Sequence, residues 1–245
     1  MMIAYPGLAV DYPSSDQYKL VSISKLAENY NLFYKLHVLS SERSVLWHAI
    51  QLRSNTFSDF AVGSPPVYWR NFLYWFRVDG SVLAFDTKRE QAVILDRPEF
   101  VDQFDSIYGK ILIGHDIHDI CLGVAQGLLT LVCIFKKCIV IAAYDYVSSN
   151  WRVSHTLDNF VSGPDDLING FPVLIDSKRV FFLAEPPGTY HDRCEYDIEI
   201  NGYRKVAVLG RVNYPLRSFQ PTLASVHGTP SEIVNTRHLS YSLQS

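Results

Sequence analysis

The sequence is poor in the features that announce a catalyst, a secreted domain or a membrane protein. No GxSxG, Walker, GxGxxG or HExxH pattern occurs in its 245 residues, so the common nucleophile, nucleotide and zinc-protease chemistries have no motif to stand on. Only four cysteines are present, Cys121, Cys133, Cys138 and Cys194, and no two form a CxxC pair. With no Asn-x-Ser/Thr sequon and no signal-peptide pattern, this predicts a reducing compartment, cytoplasmic or nuclear. Cys133 and Cys138 flank Lys136-Lys137, where they can face each other across a hairpin or behave as small buried hydrophobes. Basic stripes are missing too. Against 25 acidic residues stand 22 Lys and Arg, a formal charge of −3, which excludes the profile of a nucleic-acid binder. The longest apolar run, ICLGVAQGLLTLVCIF at 120–135, falls short of the ~20 residues of a spanning helix and is broken by Gly123, Gln126 and Gly127. Buried strands joined by a turn explain it better.

What is there is β-forming and repetitive. Hydrophobic content of 48% and charged content of 19% are values of a folded globular chain, and 13% aromatics suit strands that pack bulky side chains across sheets. One strand–turn–strand unit recurs: FLYWFRVDGSVLAFDTKREQAVIL from Phe72, LLTLVCIFKKCIVIAAYDYVSSNWRV from Leu128 and CEYDIEINGYRKVAVLG from Cys194. Two copies carry an aromatic-Asp pair after the turn, Phe85-Asp86 and Tyr144-Asp145. The third carries Tyr196-Asp197 in its first strand, a looser match. Asp86, Asp145 and Asp197 lie 59 and 52 residues apart, too irregular for a strict solenoid but suited to propeller blades with variable loops.

Within FLYWFRV, Phe72, Tyr74, Phe76 and Val78 share one face, and Leu73, Trp75 and Arg77 the other. Asp79-Gly80 and Asn201-Gly202 carry the signature of two-residue type I′ hairpin turns. CEYDIEI alternates so that Cys194, Tyr196, Ile198 and Ile200 point inward and Glu195, Asp197 and Glu199 outward. The window EFVDQFDSIY (99–108) reads either as one short helix or as a loop pinned by aromatics. The pattern predicts an all-β protein of antiparallel meanders: an incomplete β-propeller of about four blades plus a partial one over 1–228, then a flexible tail at 229–245.

Candidate sites are few. His115 and His118, in HDIHD at 115–119, would suit a divalent ion on a helix, but no further ligand cluster accompanies them. They read as part of a polar connector that can contact a partner. His191, Asp192 and Cys194 suggest a Cys-His nucleophile, yet Cys194 opens an alternating strand and points to the core, where a thiol is inert. Asp165-Asp166 suit capping or solvation. In the aromatic-Asp pairs, the ring is expected to pack between blades and the Asp to accept N–H groups of the following turn. Trp47 and Trp151 read as inter-blade packing. Tyr68, Trp69 and Arg70 are the candidates for a loop-borne contact patch, because aromatics and Arg dominate interface energetics and loops on rigid scaffolds carry binding. No catalytic residue, metal or cofactor is expected. The rival reading is a propeller enzyme acting on a carbohydrate, which needs carboxylates gathered within ~5–10 Å around a pocket.

Several segments share the pattern of a known family: GLAVDYPSSDQYKLV (7–21), VLSSERSVLW (38–47), VYWRNFLYWFRVDGSVLAFD (67–86), LGVAQGLLTLV (122–132), SSNW (148–151) and QPTLASVHG (220–228). In order and spacing they resemble the F-box-associated, kelch-like β-propeller region of plant F-box proteins. The likeness implies a non-catalytic module that recognises a protein substrate for an SCF-type ubiquitin ligase. Phe72 stands where that family usually has Gly after Asn71, which predicts a looser turn. The helical F-box itself is not in the sequence, so docking of the ligase adaptor is not expected, and the chain would bind substrate without delivering it. An open sheet edge would then stay uncovered, or be covered by a partner or a second copy. A truncated, non-functional product is the remaining alternative.

Overall fold

Short runs of aromatic and β-branched residues with alternating burial build strands here, and tight turns fold each strand back on the one before. The computed structural model describes residues 6–10, 17–28, 31–41, 47–54, 58–61, 65–100, 120–134, 138–158, 169–175, 178–185, 191–197, 199–200 and 202–209. Blade 1 comprises β1 (Gly7–Val10), β2 (Tyr18–Glu28), β3 (Asn31–Ser40) and β4 (His48–Ser54). Blade 2 comprises β5 (Val67–Trp69), β6 (Phe72–Phe76), β7 (Val82–Asp86) and β8 (Gln91–Leu95). Blade 3 comprises β9 (Ile120–Ala125), β10 (Leu128–Ile134), β11 (Cys138–Asp145) and β12 (Asn150–Asp158). Blade 4 comprises β13 (Asn169–Ile175), β14 (Arg179–Glu185), β15 (His191–Asp197) and β16 (Gly202–Leu209). Each is an antiparallel sheet in chain order.

The first strands β1, β5, β9 and β13 touch in succession, and the fourth strands β4 and β8 also meet. No comparable contact returns from β13 to β1 among the described residues. The first strands are therefore innermost in a radial stack, and the four blades form an incomplete β-propeller. No helix of the described residues is long and apolar enough to cross a membrane.

Blade 2 is buried on both sides. Leu73, Trp75, Leu83 and Phe85 pack against Val21, Ile23, Tyr34, Leu36 and Val38 of blade 1. Tyr74, Phe76, Val82 and Ala84 pack against Leu129, Leu131, Val140, Ala142 and Tyr144 of blade 3. Cys133 and Cys138 share that second core as buried cysteines on one face of their hairpin. Phe100 also enters it, while the rest of the 99–108 window lies outside the described residues. Trp151 is buried and donates its indole N–H to the Asp96 carbonyl of the preceding blade at 3.2 Å. Trp47 does not join a core. It is 48% exposed, because it precedes the first paired residue of β4, an outermost strand.

The turns depart from the expected ones. Between β6 and β7, Gly80 N–H bonds the Arg77 carbonyl at 3.0 Å and Arg77 N–H bonds the Ser81 carbonyl at 2.9 Å. Only Gly80 has positive φ (85°), so this is a three-residue loop with a left-handed glycine rather than a type I′ turn. Asp79 serves it through its side chain, accepting from the Ser81 N–H (3.1 Å) and hydroxyl (2.6 Å) and pairing with buried Arg77 at 3.1 Å. Two-residue turns with both φ positive occur instead at Gln126-Gly127 and at Arg70-Asn71. The second is as tight as a hairpin allows despite Phe72.

In blade 4 the expected Asn201-Gly202 turn is displaced. Strand β15 ends at Asp197, opposite Gly202, and four residues connect them. Asp197 Oδ1 accepts the N–H groups of Glu199 (2.9 Å) and Ile200 (3.1 Å), which closes the turn early. Ile200 is consequently 76% exposed rather than inward, while Glu195 is buried. Strand β15 begins at His191, so Cys194 lies inside it and not at its start.

Tyr196-Asp197 thus ends the third strand of its blade, as Phe85-Asp86 and Tyr144-Asp145 do. The repeat is regular in all three. Asp86 Oδ1 accepts Lys88 N–H (2.9 Å) and Arg89 N–H (3.0 Å), and Asp145 Oδ1 accepts Val147 N–H (2.9 Å). The preceding rings, Phe85, Tyr144 and Tyr196, are all buried. Asp86→Ala leaves two turn N–H groups without their charged acceptor, so it should destabilise the fold by about 1–3 kcal/mol in urea unfolding. Arg89→Ala, which removes only an exposed partner 4.0 Å away, should change it by less than about 0.5 kcal/mol.

A second clasp joins blades 1 and 2. Glu90 Oε1 accepts from Lys19 Nζ at 2.7 Å, Lys19 also bonds the Thr87 carbonyl at 2.5 Å, and Glu90 Oε2 meets His48 Nε2 at 2.9 Å. Burial pushes the Glu90 carboxyl up, but hydrogen bonds from Lys19 and His48 outweigh it and hold the group below the ordinary glutamate value. A depressed carboxylate stabilises the native state above its unfolded pKa of about 4.3, and that contribution fades as pH falls through the folded value. Glu90→Gln should therefore lower stability at neutral pH, with the gap to the parent closing below roughly pH 4. A gap of unchanged size across a pH series of urea melts would contradict the clasp.

Candidate functional site

Antiparallel hairpins bring the turns after the first and third strands of a blade to one side of the sheet. In blade 2 they are joined, since Thr87 bonds the Asn71 carbonyl through its N–H and its hydroxyl, both at 2.8 Å. In blade 3 the corresponding turns are 126–127 and 146–149. An aromatic shelf spans the two blades on this side.

Trp69 ends β5 on the face toward blade 3, opposite Phe72 in register. Its ring lies 5.6 Å from that of Tyr146, tilted 37°. Tyr146 meets Tyr144 edge-on at 4.9 Å, and Tyr144 meets Trp151 at 5.2 Å. The Tyr74 and Tyr146 hydroxyls are 3.0 Å apart, and Phe72 stacks on Tyr74 at 5.9 Å. The Arg70 guanidinium lies 4.3 Å over the Trp69 ring. Below, the shelf is anchored in the core between blades 2 and 3. Above, it is open: Arg70 is exposed, Tyr146 is 40% exposed and Val147 97%.

The turn that presents Tyr146 and Val147 is held by Asp145. Its carboxylate accepts Val147 N–H and the Ser148 hydroxyl (2.9 Å each) and pairs with Arg152 at 2.8 Å. The Val147 N–H, then the Ser148 hydroxyl and Arg152, keep that carboxyl below the usual aspartate value. Burial pushes the phenols the other way. Tyr74 is raised by desolvation and then by its bond to Tyr146; Tyr146 and Tyr144 are raised chiefly by desolvation. All three remain neutral phenols at physiological pH.

Of the residues singled out in the sequence, Trp69 and Arg70 belong to this shelf. Tyr68 does not; alternation turns it to the opposite face, against the core shared with blade 1. His115 and His118 lie outside the described residues, as does Asp165-Asp166. Tyr146 and Val147 were missed. Their signal was available in AAYDYVSSNW, where an aromatic and an aliphatic residue occupy the turn after the recurrent Asp, a place that favours polar residues.

Reactive constellations are lacking among the described residues. No three His, Cys, Asp or Glu side chains gather as for a metal ion. Asp86, Asp145 and Asp197 hold turns and Glu90 is ion-paired. Ser24 Oγ and His37 Nε2 are 3.2 Å apart across β2 and β3, but Ser24 also bonds the Lys35 carbonyl and no described carboxylate orients the imidazole. Desolvation pushes the half-buried Cys121 thiol up to about 12, which removes it as a nucleophile.

No family model and no curated protein matches the sequence. Among solved structures, the chain is similar to puromycin hydrolase at 16% identity over 86% of this chain and 29% of that one, with a TM-score of 0.45. It is similar to the β-propeller domain of the trilobed protease from Pyrococcus furiosus, at 7% identity over 89% and 67% of the two chains and a TM-score of 0.41. BamB from Moraxella catarrhalis aligns at 11% identity over 84% and 67%, with a TM-score of 0.38. The chain thus spans less than a third of the length of puromycin hydrolase.

Proposed function

We propose that this chain is a non-catalytic protein-interaction module whose partner sits on the Trp69–Arg70–Tyr146–Val147 shelf. One observation carries the reading: a cation, an aromatic ring and an aliphatic side chain are exposed together on a buried aromatic footing that spans two blades. Such side chains lose little freedom on binding, because Tyr146 is already braced by Tyr74 and Tyr144, and Trp69 lies against Tyr146. Large aromatics and Arg are also the residues that most often dominate interface energetics. The resemblance to the F-box-associated region of plant F-box proteins supports the same role and gives it a setting. In that setting the partner is a protein substrate selected for ubiquitylation, in the cytoplasm or nucleus.

A photoreactive amino acid in place of Val147 should cross-link a discrete protein from cell extract. Trp69→Ala or Tyr146→Ala, each checked for an intact cooperative melt, should weaken that capture by about tenfold or more. The same photoreactive group at Val93, exposed on β8, should capture none of it. Equal capture from both positions, or capture indifferent to both substitutions, would remove the shelf from recognition.

A further inference from the structure

The polar groups of the shelf are rich in hydrogen-bond donors, and its one cation is Arg70. Arg70 brings five N–H groups and can accept nothing. The Tyr74 and Tyr146 hydroxyls share one hydrogen between them at 3.0 Å, which leaves the other phenol hydrogen free to point outward. The nearby carboxylate that might answer Arg70 is already committed, since Asp145 is held by Val147, Ser148 and Arg152. Among the described residues Arg70 makes no ion pair; its guanidinium rests on the Trp69 ring. Backbone geometry adds to the case. Arg70 has φ 49° and Asn71 φ 67°, so two non-glycine residues hold the left-handed conformation in a turn that favours Asn and Gly. From this tight turn the Arg70 guanidinium reaches back over the indole of Trp69. A guanidinium over a ring uses none of its N–H groups there, and its planar fork can meet a carboxylate bidentately.

We infer that the shelf reads the side-chain carboxylate of an Asp or Glu in the partner, flanked by an apolar residue that covers Tyr146 and Val147. The inference rests on the shelf being the partner site and adds the chemistry of the segment that fills it. Two capped peptides test it, Ac-Leu-Glu-Phe-NH2 and Ac-Leu-Gln-Phe-NH2, titrated into the nitrogen-15-labelled full chain. The Glu peptide should bind at least fivefold tighter and should shift the Arg70 Nε–H and Trp69 indole N–H resonances. Arg70→Gln should erase the preference by weakening the Glu peptide at least fivefold more than the Gln peptide, Arg70→Lys should retain part of it, and Trp69→Ala should weaken both peptides. Equal binding of the two peptides, or a preference that survives Arg70→Gln, would overturn the carboxylate reading. If the cross-link at position 147 depends on Trp69 while the peptides bind alike, the shelf stands and only the carboxylate falls.

Discussion

Strands β6 and β7 of blade 2 have no free face, and the rest of the molecule is arranged around that fact. Odd-numbered residues of β6 and β7 (Leu73, Trp75, Leu83, Phe85) fill the core with blade 1, and their even-numbered neighbours fill the core with blade 3. Because strand periodicity is two, a one-residue slip in β6 would exchange the two sets and spoil both cores together. Register in this blade is therefore fixed twice. Trp75 shows the scale of the constraint, since truncating a fully buried tryptophan costs about 3–5 kcal/mol, a large part of a domain's net stability.

The turns carry the consequences of that packing to the surface. An aspartate at the end of each third strand in blades 2, 3 and 4 accepts the N–H groups of the turn that follows, and the ring before it is buried. The turn is thus tied at its root to the core and held by its own side chain. In blade 3 this device presents Tyr146 and Val147, and in blade 2 the short β5–β6 turn presents Arg70 beside them. The shelf is rigid because both turns grow from the one core shared by the two blades.

Much of this was legible in the residues. The alternation in FLYWFRV placed Tyr74 and Trp75 on opposite faces, and the recurrent aromatic-Asp pair marked the blades, because both rest on strand periodicity and on short-range turn chemistry. The errors came where a side chain overrode the backbone signal. Asp79 and Asp197 hold their turns by accepting N–H groups, so neither Asp-Gly nor Asn-Gly made the two-residue turn its composition suggests. Trp69 and Arg70 could be singled out as candidates, but Tyr146, whose ring lies beside Trp69, is distant in sequence and reaches it only through blade stacking. Tyr68 was misplaced with them for want of knowing which face of β5 looks toward which blade.

Native-state hydrogen exchange on the full chain tests most directly whether blade 2 binds its neighbours into one unit. The amides of β6 and β7 should be among the slowest and should open with the same free energy as those of β3, β10 and β11, because none can open without spoiling a shared core. Separate opening of β6–β7 at a distinctly lower free energy than β10–β11 would contradict the two-sided packing on which the shelf stands.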